Sequence, residues 1–504
     1  MSYASINTRA QLGLNAPPVS VEVHLSNGLP CFSIVGLPEL AVRESRERVR
    51  AALVNCHFKF PARRIIVNLA PAELPKQGGR FDLAIAIGLL IASEQLATDI
   101  LHDYEFMGEL SLNGELRRSE GILPAAYHCW QQGRVLITAK QNLTELTLLP
   151  THSYLGADTL LQVCAHLTQT RMLESGQALP AQDQTECVQQ SMHDVIGQTA
   201  AKRALTIAAA GHHHVLMIGS PGSGKTMLAN RFKSLLEPMN TKETIETASL
   251  YSIANGHSGK HPSHIRPFRS PHHTVSPVGL AGGGTYPRPG EVSLAHNGVL
   301  FLDELTEFSR AALEILREPI ETGEITISRA AGQLSFPARF QLIAAMNPCP
   351  RGCDVDQYGL CACSDEQIRR YHNKLSAPLL DRIDIQISVP KLAPHMLLDA
   401  QASDEQDWQQ LISQINQARK RQIQRQNKLN ALLTSQELQS VCYLNSTIKK
   451  STHNLIQQLK LTTRGFHQIL KIARTVADLS GSQHVQMNHI QEAACYRKMS
   501  QLLR

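Results

Sequence analysis

The sequence predicts an α/β protein of several domains, and three observations carry that prediction. The chain has 504 residues, more than one hydrophobic core usually serves. Short β-rich runs alternate with helical patterns as far as "VPKL" at residues 389–392, beyond which only helical spacing remains. In the middle, the apolar run "VLMIG" leads directly into a glycine-rich loop and then a helical pattern, as in an open α/β sheet.

Taken in order, residues 1–165 alternate β-rich runs such as "VSVEVHL" and "RRIIVNLA" with helical patterns such as "LAVRESRERVRAALVN", which predicts an α/β domain. Residues 166–190 lose all periodicity and read as a linker. A second α/β domain begins at "DVIGQTAAKRALTIAAA" and spans 191–395, followed by a helical domain over 396–504.

Composition excludes some classes. With 42% hydrophobic and 18% charged residues the chain is ordinary globular material, and its longest apolar candidate, "FDLAIAIGLLIA", is too short to span a membrane. The start, "MSYASINTRAQLGL", has no basic stretch followed by an apolar block, so the expectation is a cytoplasmic protein with reduced thiols and no membrane partner. Residues 401–504 hold 14 Lys/Arg against 6 Asp/Glu, or +8, which leaves +6 − 8 = −2 for the first 400. The basic run "ARKRQIQRQNK" there reads either as a solvated helix face or as a phosphate-tracking surface.

The loop "GSPGSGKT", Gly219 to Thr226, fits G-x-x-x-x-G-K-[ST] between a strand and a helix. Its glycines let backbone N–H groups turn toward phosphates, Lys225 neutralises the β/γ oxygens, and Thr226 ligates Mg²⁺. Further on, "GVLFLDE" delivers Asp303 and Glu304 at the end of a strand. Asp303 suits the Mg²⁺ shell and Glu304 the attacking water. A third strand, "FQLIAAMN", ends in Asn347, so three strand ends are expected to converge on one nucleotide. "LLDRIDIQI" places Arg382 before another β-rich segment, and "LTTRGFHQIL" places Arg464 at a helix start.

Together, "GSPGSGKT", "VLFLDE", "AAMNPCP", "LLDRIDI" and "TTRGFHQILKIARTVADL" resemble the magnesium-chelatase-like AAA+ ATPases of the ComM/YifB family. "LPCFSIVGLPELAVRESRERVRAAL", "IIVNLAPAELPKQG" and "GELSLNGELRR" extend the resemblance over nearly the whole chain. It implies a Lon-protease-like N-terminal domain of the ribosomal S5 domain 2-like fold, an AAA+ core and a helical lid. It also implies homo-hexamers that hydrolyse ATP to drive branch migration of single-stranded and branched DNA in natural transformation, with recombinase and other competence proteins as partners. Carried onto this chain, Gly219, Ser220, Pro221, Gly222, Ser223, Gly224, Lys225, Thr226 and Met227 hold the nucleotide, with Gly197 and Gln198 beside the adenine. Arg382 resembles the arginine finger and Arg464 the sensor 2 arginine, both serving a neighbour's nucleotide, with Arg370 as a third basic contact.

Two insertions follow from the same resemblance. "RPFRSPHHTVSPVGLAGGGTYPRPGE" corresponds to a helix-2 insert, and "ETGEITISRAAGQLSFP", two β-rich arms around "SRAAG", to a pore-facing hairpin. Arg329 is then a DNA backbone contact, with Arg266, Arg269 and the pair His272 and His273 as weaker ones. No aromatic interleaving accompanies them, so binding is expected to be independent of sequence and weakened by salt.

Elsewhere the motifs mislead. Active Lon domains use a Ser/Lys pair, yet "PKQGGRFD" has Arg80 or a neighbour in the place of the serine, and no lysine lies between Lys76 and Lys140. Without a hydroxyl and a base the covalent route is closed. His212 to His214 alternate faces if extended and do not readily share an ion. Cys349, Cys353, Cys361 and Cys363 crowd the loop 347–365, and four thiols there suit tetrahedral Zn²⁺, the alternative being small apolar cysteines. The competing function is a chelatase-type remodeller acting on a protein or on metal insertion into a tetrapyrrole.

Overall fold

The computed structural model describes residues 2–176, 191–254, 263–284, 287–329, 332–353, 361–392, 405–444, 446–458 and 462–497. The N-terminal domain is built on a four-stranded sheet in which Tyr3–Arg9, Pro18–Ser26, Arg64–Ala70 and Cys31–Val35 lie side by side in that order. The first three pair antiparallel and the last is parallel to Arg64–Ala70. Strict alternation in "PVSVEVHLS" buries Val19, Val21, Val23 and Leu25 on one face. Each such side chain contributes roughly 1.5–3 kcal/mol by leaving water. Against that face lies the helix Asp82–Ala92, apolar all round and buried on nearly every side, which is why its sequence looked like a short membrane segment. Gly88 permits the approach: a Cβ there would stand 2.6 Å from Val23 Cγ2. A second, parallel sheet joins Tyr104–Phe106, Val135–Ala139 and Tyr154–Ala157. The helix Leu160–Leu167 carries the domain past residue 165, and Ser175 still bridges to Leu155.

The central domain holds a five-stranded sheet in the order Phe268–Arg269, Val299–Leu302, Gln341–Met346, Val215–Ile218, Ile385–Ser388. All neighbours are parallel. Parallel strands are covered on both faces, and the three central ones are buried at every residue. The strand that leads into the phosphate loop lies inside the sheet, so the carboxyl ends of its neighbours flank that loop. The hairpin pairs Glu324–Arg329 with Gly332–Pro337 and closes at Arg329 opposite Gly332.

The described part of the C-terminal helical domain comprises the helices Glu405–Gln426, Ser435–Val441, Ser446–Gln458, Thr463–Leu479 and Met487–Cys495. Its basic run answers to neither sequence expectation in full. Arg419 donates to the Ala209 carbonyl at 2.8 Å, and Arg425 grips Asp478 with two bonds of 2.7 and 2.9 Å. Buried Asp478 also takes Arg474 Nη2 at 2.9 Å, so these cations brace the lid rather than face solvent or phosphate.

The N-terminal domain docks on the core. Ile245 of the core helix Thr241–Ala254 joins a cluster with Ile122, Leu123 and Leu146, Ser252 donates to Glu145 at 2.9 Å, and Arg288 pairs with Glu120 at 3.0 Å. Among the described residues no helix is long and apolar enough to cross a membrane.

Candidate nucleotide site

The phosphate loop leaves the strand Val215–Ile218 at Gly219, where a Cβ would stand 2.3 Å from the Val389 carbonyl oxygen. Gly222 and Gly224 follow with φ of 79° and 93°, a region that side chains disfavour. The helix Lys225–Phe232 then starts with its free N–H groups toward the loop.

Lys225 is 8% exposed, and its ammonium donates to the carbonyls of Gly219 at 2.7 Å and Ser220 at 3.1 Å and to Asn347 Oδ1 at 3.3 Å. Burial pushes it below its ordinary value, against the pull of Asp303 and Glu304. Thr226 Oγ1 donates to Asp303 Oδ2 at 2.7 Å, and Asp303 Oδ1 accepts the Glu304 N–H at 3.0 Å. Strand ends far apart in sequence thus meet around one lysine. The set fits a nucleotide with its metal: a cation and a helix end for phosphate, and a hydroxyl beside a carboxylate for a divalent ion. The buried Ser223 hydroxyl, without a partner among the described residues, adds an unused donor.

Gly197 and Gln198 stand beside this loop. Both have positive φ, and Gln198 Nε2 donates to Pro390 O at 2.7 Å and Ser223 O at 3.3 Å. Met227 packs back on the loop, its Cε 3.3 Å from where a Cβ on Gly224 would stand. Pro221 meets the cysteine segment: a Cβ on Gly352 would stand 2.6 Å from Pro221 Cδ.

Glu304 has left-handed backbone, φ 51° and ψ 49°, and its carboxylate lies 3.6 Å from His273 Nδ1. The His273 ring lies against His272, tilted by 34° with centroids 4.1 Å apart. Sequence reading placed this pair with DNA contacts and missed the link to Glu304. The signal was available, since "SPHHT" directly follows Phe268–Arg269, the strand parallel to Val299–Leu302.

Two other residues expected at DNA already have partners within the core. Arg266 is 13% exposed and donates to Glu237 O and Asn297 O at 2.7 Å while pairing with Glu243 at 3.1 Å. Arg269 makes a two-pronged bond to Glu291 at 2.7 and 2.6 Å. Each guanidinium is already neutralised within the core. The Arg329 side chain and residues 330–331 lie outside the described residues.

Arg382 and Arg464 are brought together. Arg382 Nη2 and Arg464 Nη2 each lie 2.7 Å from the same oxygen, Glu321 Oε1. Arg370 is exposed on the helix Asp365–His372.

The four thiols of Cys349, Cys353, Cys361 and Cys363 lie within 4.8 Å of one another. The Cys353 N–H donates to Cys349 Sγ at 3.1 Å, and a backbone N–H at Ala362 helps bring the Cys353 thiol down to about 7. These distances and donors fit a closed four-thiolate metal site; residues 354–360 lie outside the described residues. The histidine run divides its partners: His213 contacts Asp384 at 3.4 Å and Thr475 at 2.8 Å, while His214 Nδ1 accepts the Leu342 N–H at 3.0 Å.

In the N-terminal domain Arg80 is buried and donates to Gln11 and, at 3.1 Å, to Glu120 O, while buried Lys76 donates to Pro71 O. Among the described residues neither side chain is hydrogen-bonded to a serine hydroxyl.

Comparison with known proteins covers most of the chain. "Subunit ChlI of Mg-chelatase" matches residues 21–142, "Magnesium chelatase, subunit ChlI" 191–397, and "Magnesium chelatase, subunit ChlI C-terminal" 405–497. Competence protein ComM of Haemophilus influenzae is 48% identical over 514 residues, spanning 100% of this chain and 99% of that protein. YifB of Escherichia coli is 46% identical over 503 residues, spanning 100% and 98%. Mb2921c of Mycobacterium bovis is 37% identical over 493 residues, spanning 96% and 97%. Similarity that runs end to end means that the chain belongs to the ComM/YifB family of AAA-type ATPases with magnesium chelatase ChlI-like domains.

Proposed function

We propose that this protein is a hexameric DNA motor that hydrolyses ATP to promote branch migration of recombination intermediates. The observation that carries the ATPase half is the meeting of Lys225, Thr226, Asp303, Glu304 and Asn347 at one loop. Lys225 exchanges its loop carbonyls for phosphate oxygens. Thr226 and Asp303 would hold Mg²⁺, which when bound would supply positive charge beside the phosphates. Glu304 polarises the attacking water, Asn347 orients it, and Arg382 and Arg464 reach the nucleotide of the next subunit. An isolated subunit is then a slow ATPase, since such an arginine contributes about 10³ to 10⁵ in rate.

The DNA half rests on the hairpin Glu324–Pro337 and on similarity to a relative named as a competence protein. With Arg266 and Arg269 engaged inside the core, Arg329 carries more of the backbone contact. The N-terminal domain is Lon-like and without peptidase chemistry, and the cysteine cluster holds Zn²⁺ as a structural clip beside Asn347. The second reading, a chelatase-type remodeller, draws on the ChlI descriptions themselves.

ATP hydrolysis and branch migration measured on one preparation separate the two. A motor shows hydrolysis stimulated by branched DNA and extension of a three-stranded joint, both lost in Lys225→Ala. A rate indifferent to DNA, with no joint extension, rejects it.

A further inference from the structure

Arg382 and Arg464 come from different parts of the chain. The first follows the short helix Ala377–Leu380 of the core, and the second lies in the opening turn of the lid helix Thr463–Leu479, capped by Thr462. Two guanidiniums repel at close range, and here a single carboxylate oxygen, Glu321 Oε1, accepts from both at 2.7 Å. Burial would raise the Glu321 carboxyl, yet the two arginines hold it below its ordinary range.

The hold on Arg382 is incomplete without that carboxylate. Its side chain is 10% exposed, Nη1 donates to Pro378 O at 2.7 Å, and buried Nε has no partner among the described residues. No cage of its own fixes this guanidinium. Glu321 lies in the last turn of the helix Arg317–Thr322, which Gly323 closes at φ 74° before the hairpin strand Glu324–Arg329 begins. Thr322 Oγ1 donates to Glu318 O and Glu324 O at 3.0 Å, tying that helix end to the hairpin base.

We infer that Glu321 is a positioning residue, one carboxylate that sets Arg382 and Arg464 as a pair toward a neighbour's nucleotide and links that pair to the hairpin. This rests on the reading above that both arginines act across the subunit interface. Glu321, bonded to both guanidiniums, acts through the arginines rather than on the nucleotide itself. Hairpin displacement by DNA moves the helix end that bears the carboxylate, which makes hydrolysis at the next subunit's nucleotide respond to DNA.

The test is subunit mixing with DNA-stimulated ATPase as the readout. Glu321→Gln alone lowers the stimulated rate by at least about tenfold, as loss of a charge-assisted contact to a catalytic group does. Mixed with Lys225→Ala it recovers activity, because its intact phosphate loops meet intact arginine pairs. Mixed with Arg382→Ala it does not, because both damage the same face. Glu321→Asp, which keeps the charge and shortens the reach, retains an intermediate rate with the same mixing pattern and replaces Glu321→Gln if the latter fails to assemble. A merely structural role would not distinguish the two mixing partners. Wild-type stimulation in Glu321→Gln, recovery with Arg382→Ala, or no recovery with Lys225→Ala would overturn the inference. Failure of the Arg382→Ala and Lys225→Ala pair to complement each other would instead overturn the trans reading.

Discussion

The N-terminal domain and the core each lead a glycine-containing loop into a helix and bury a cation at its start. Gly78 has φ 68° before Arg80, Gly224 has φ 93° before Lys225, and both cations are 8% exposed. What differs is the company. Lys225 stands among an asparagine amide, a hydroxyl and two carboxylates brought by neighbouring strands, whereas Arg80 is tied to Gln11 and a carbonyl. A glycine-led helix end supplies a place for negative charge, and the groups delivered by the rest of the sheet decide whether chemistry happens there.

The largest expected effect tests the core from its far side. On the proposed action across a subunit interface, Arg382→Ala lowers the ATPase rate by about 10³ to 10⁵, and mixing with Lys225→Ala restores part of it. Next, Glu304→Gln lowers turnover by about 10² to 10⁴ while nucleotide still binds, seen as retained binding of a fluorescent ATP analogue. His273→Ala changes the rate far less and in the other direction: hydrolysis without DNA rises, because Glu304 loses the contact that holds it at 3.6 Å. On the opposite side of the comparison, Arg80→Ala reduces stability by about 1–3 kcal/mol through the donors it removes, read by thermal melting, and leaves the rate of the folded protein unchanged.

The smallest effect concerns pH. Burial would raise buried Asp384, but its bond to His213 prevails and holds it at about 2. A depressed carboxyl stabilises fully above its unfolded value of about 3.9. That contribution falls away as pH drops from there toward 2, so Asp384→Asn should flatten the acid limb of a melting profile.

Much of this was legible because it is local. The phosphate loop, the Asp303–Glu304 strand end, Asn347, the crowded cysteines and the hairpin all announce themselves through spacing, and hydrophobic period separates the sheet from the lid. Partner choice across the chain was not legible. Nothing in "RPFRSP" says that Arg266 will meet Glu243 and Arg269 will meet Glu291, so two neutralised cations looked free. Nothing in "ETGEIT" marks Glu321 as the meeting point of arginines from the core and the lid. Likewise "ARKRQIQRQNK" carries the charge of a solvated face while Asp478 waits on another helix. Periodicity reports which side of an element is buried; the identity of a distant partner depends on topology.

The proposal at the centre is that the assembled site drives DNA rearrangement, and joint-molecule extension by the purified protein, followed together with ATP hydrolysis, addresses it directly. Extension that requires ATP, rises with hydrolysis and vanishes in Lys225→Ala is the expected result. Hydrolysis that proceeds at the same rate with and without branched DNA, and moves no branch, would contradict it.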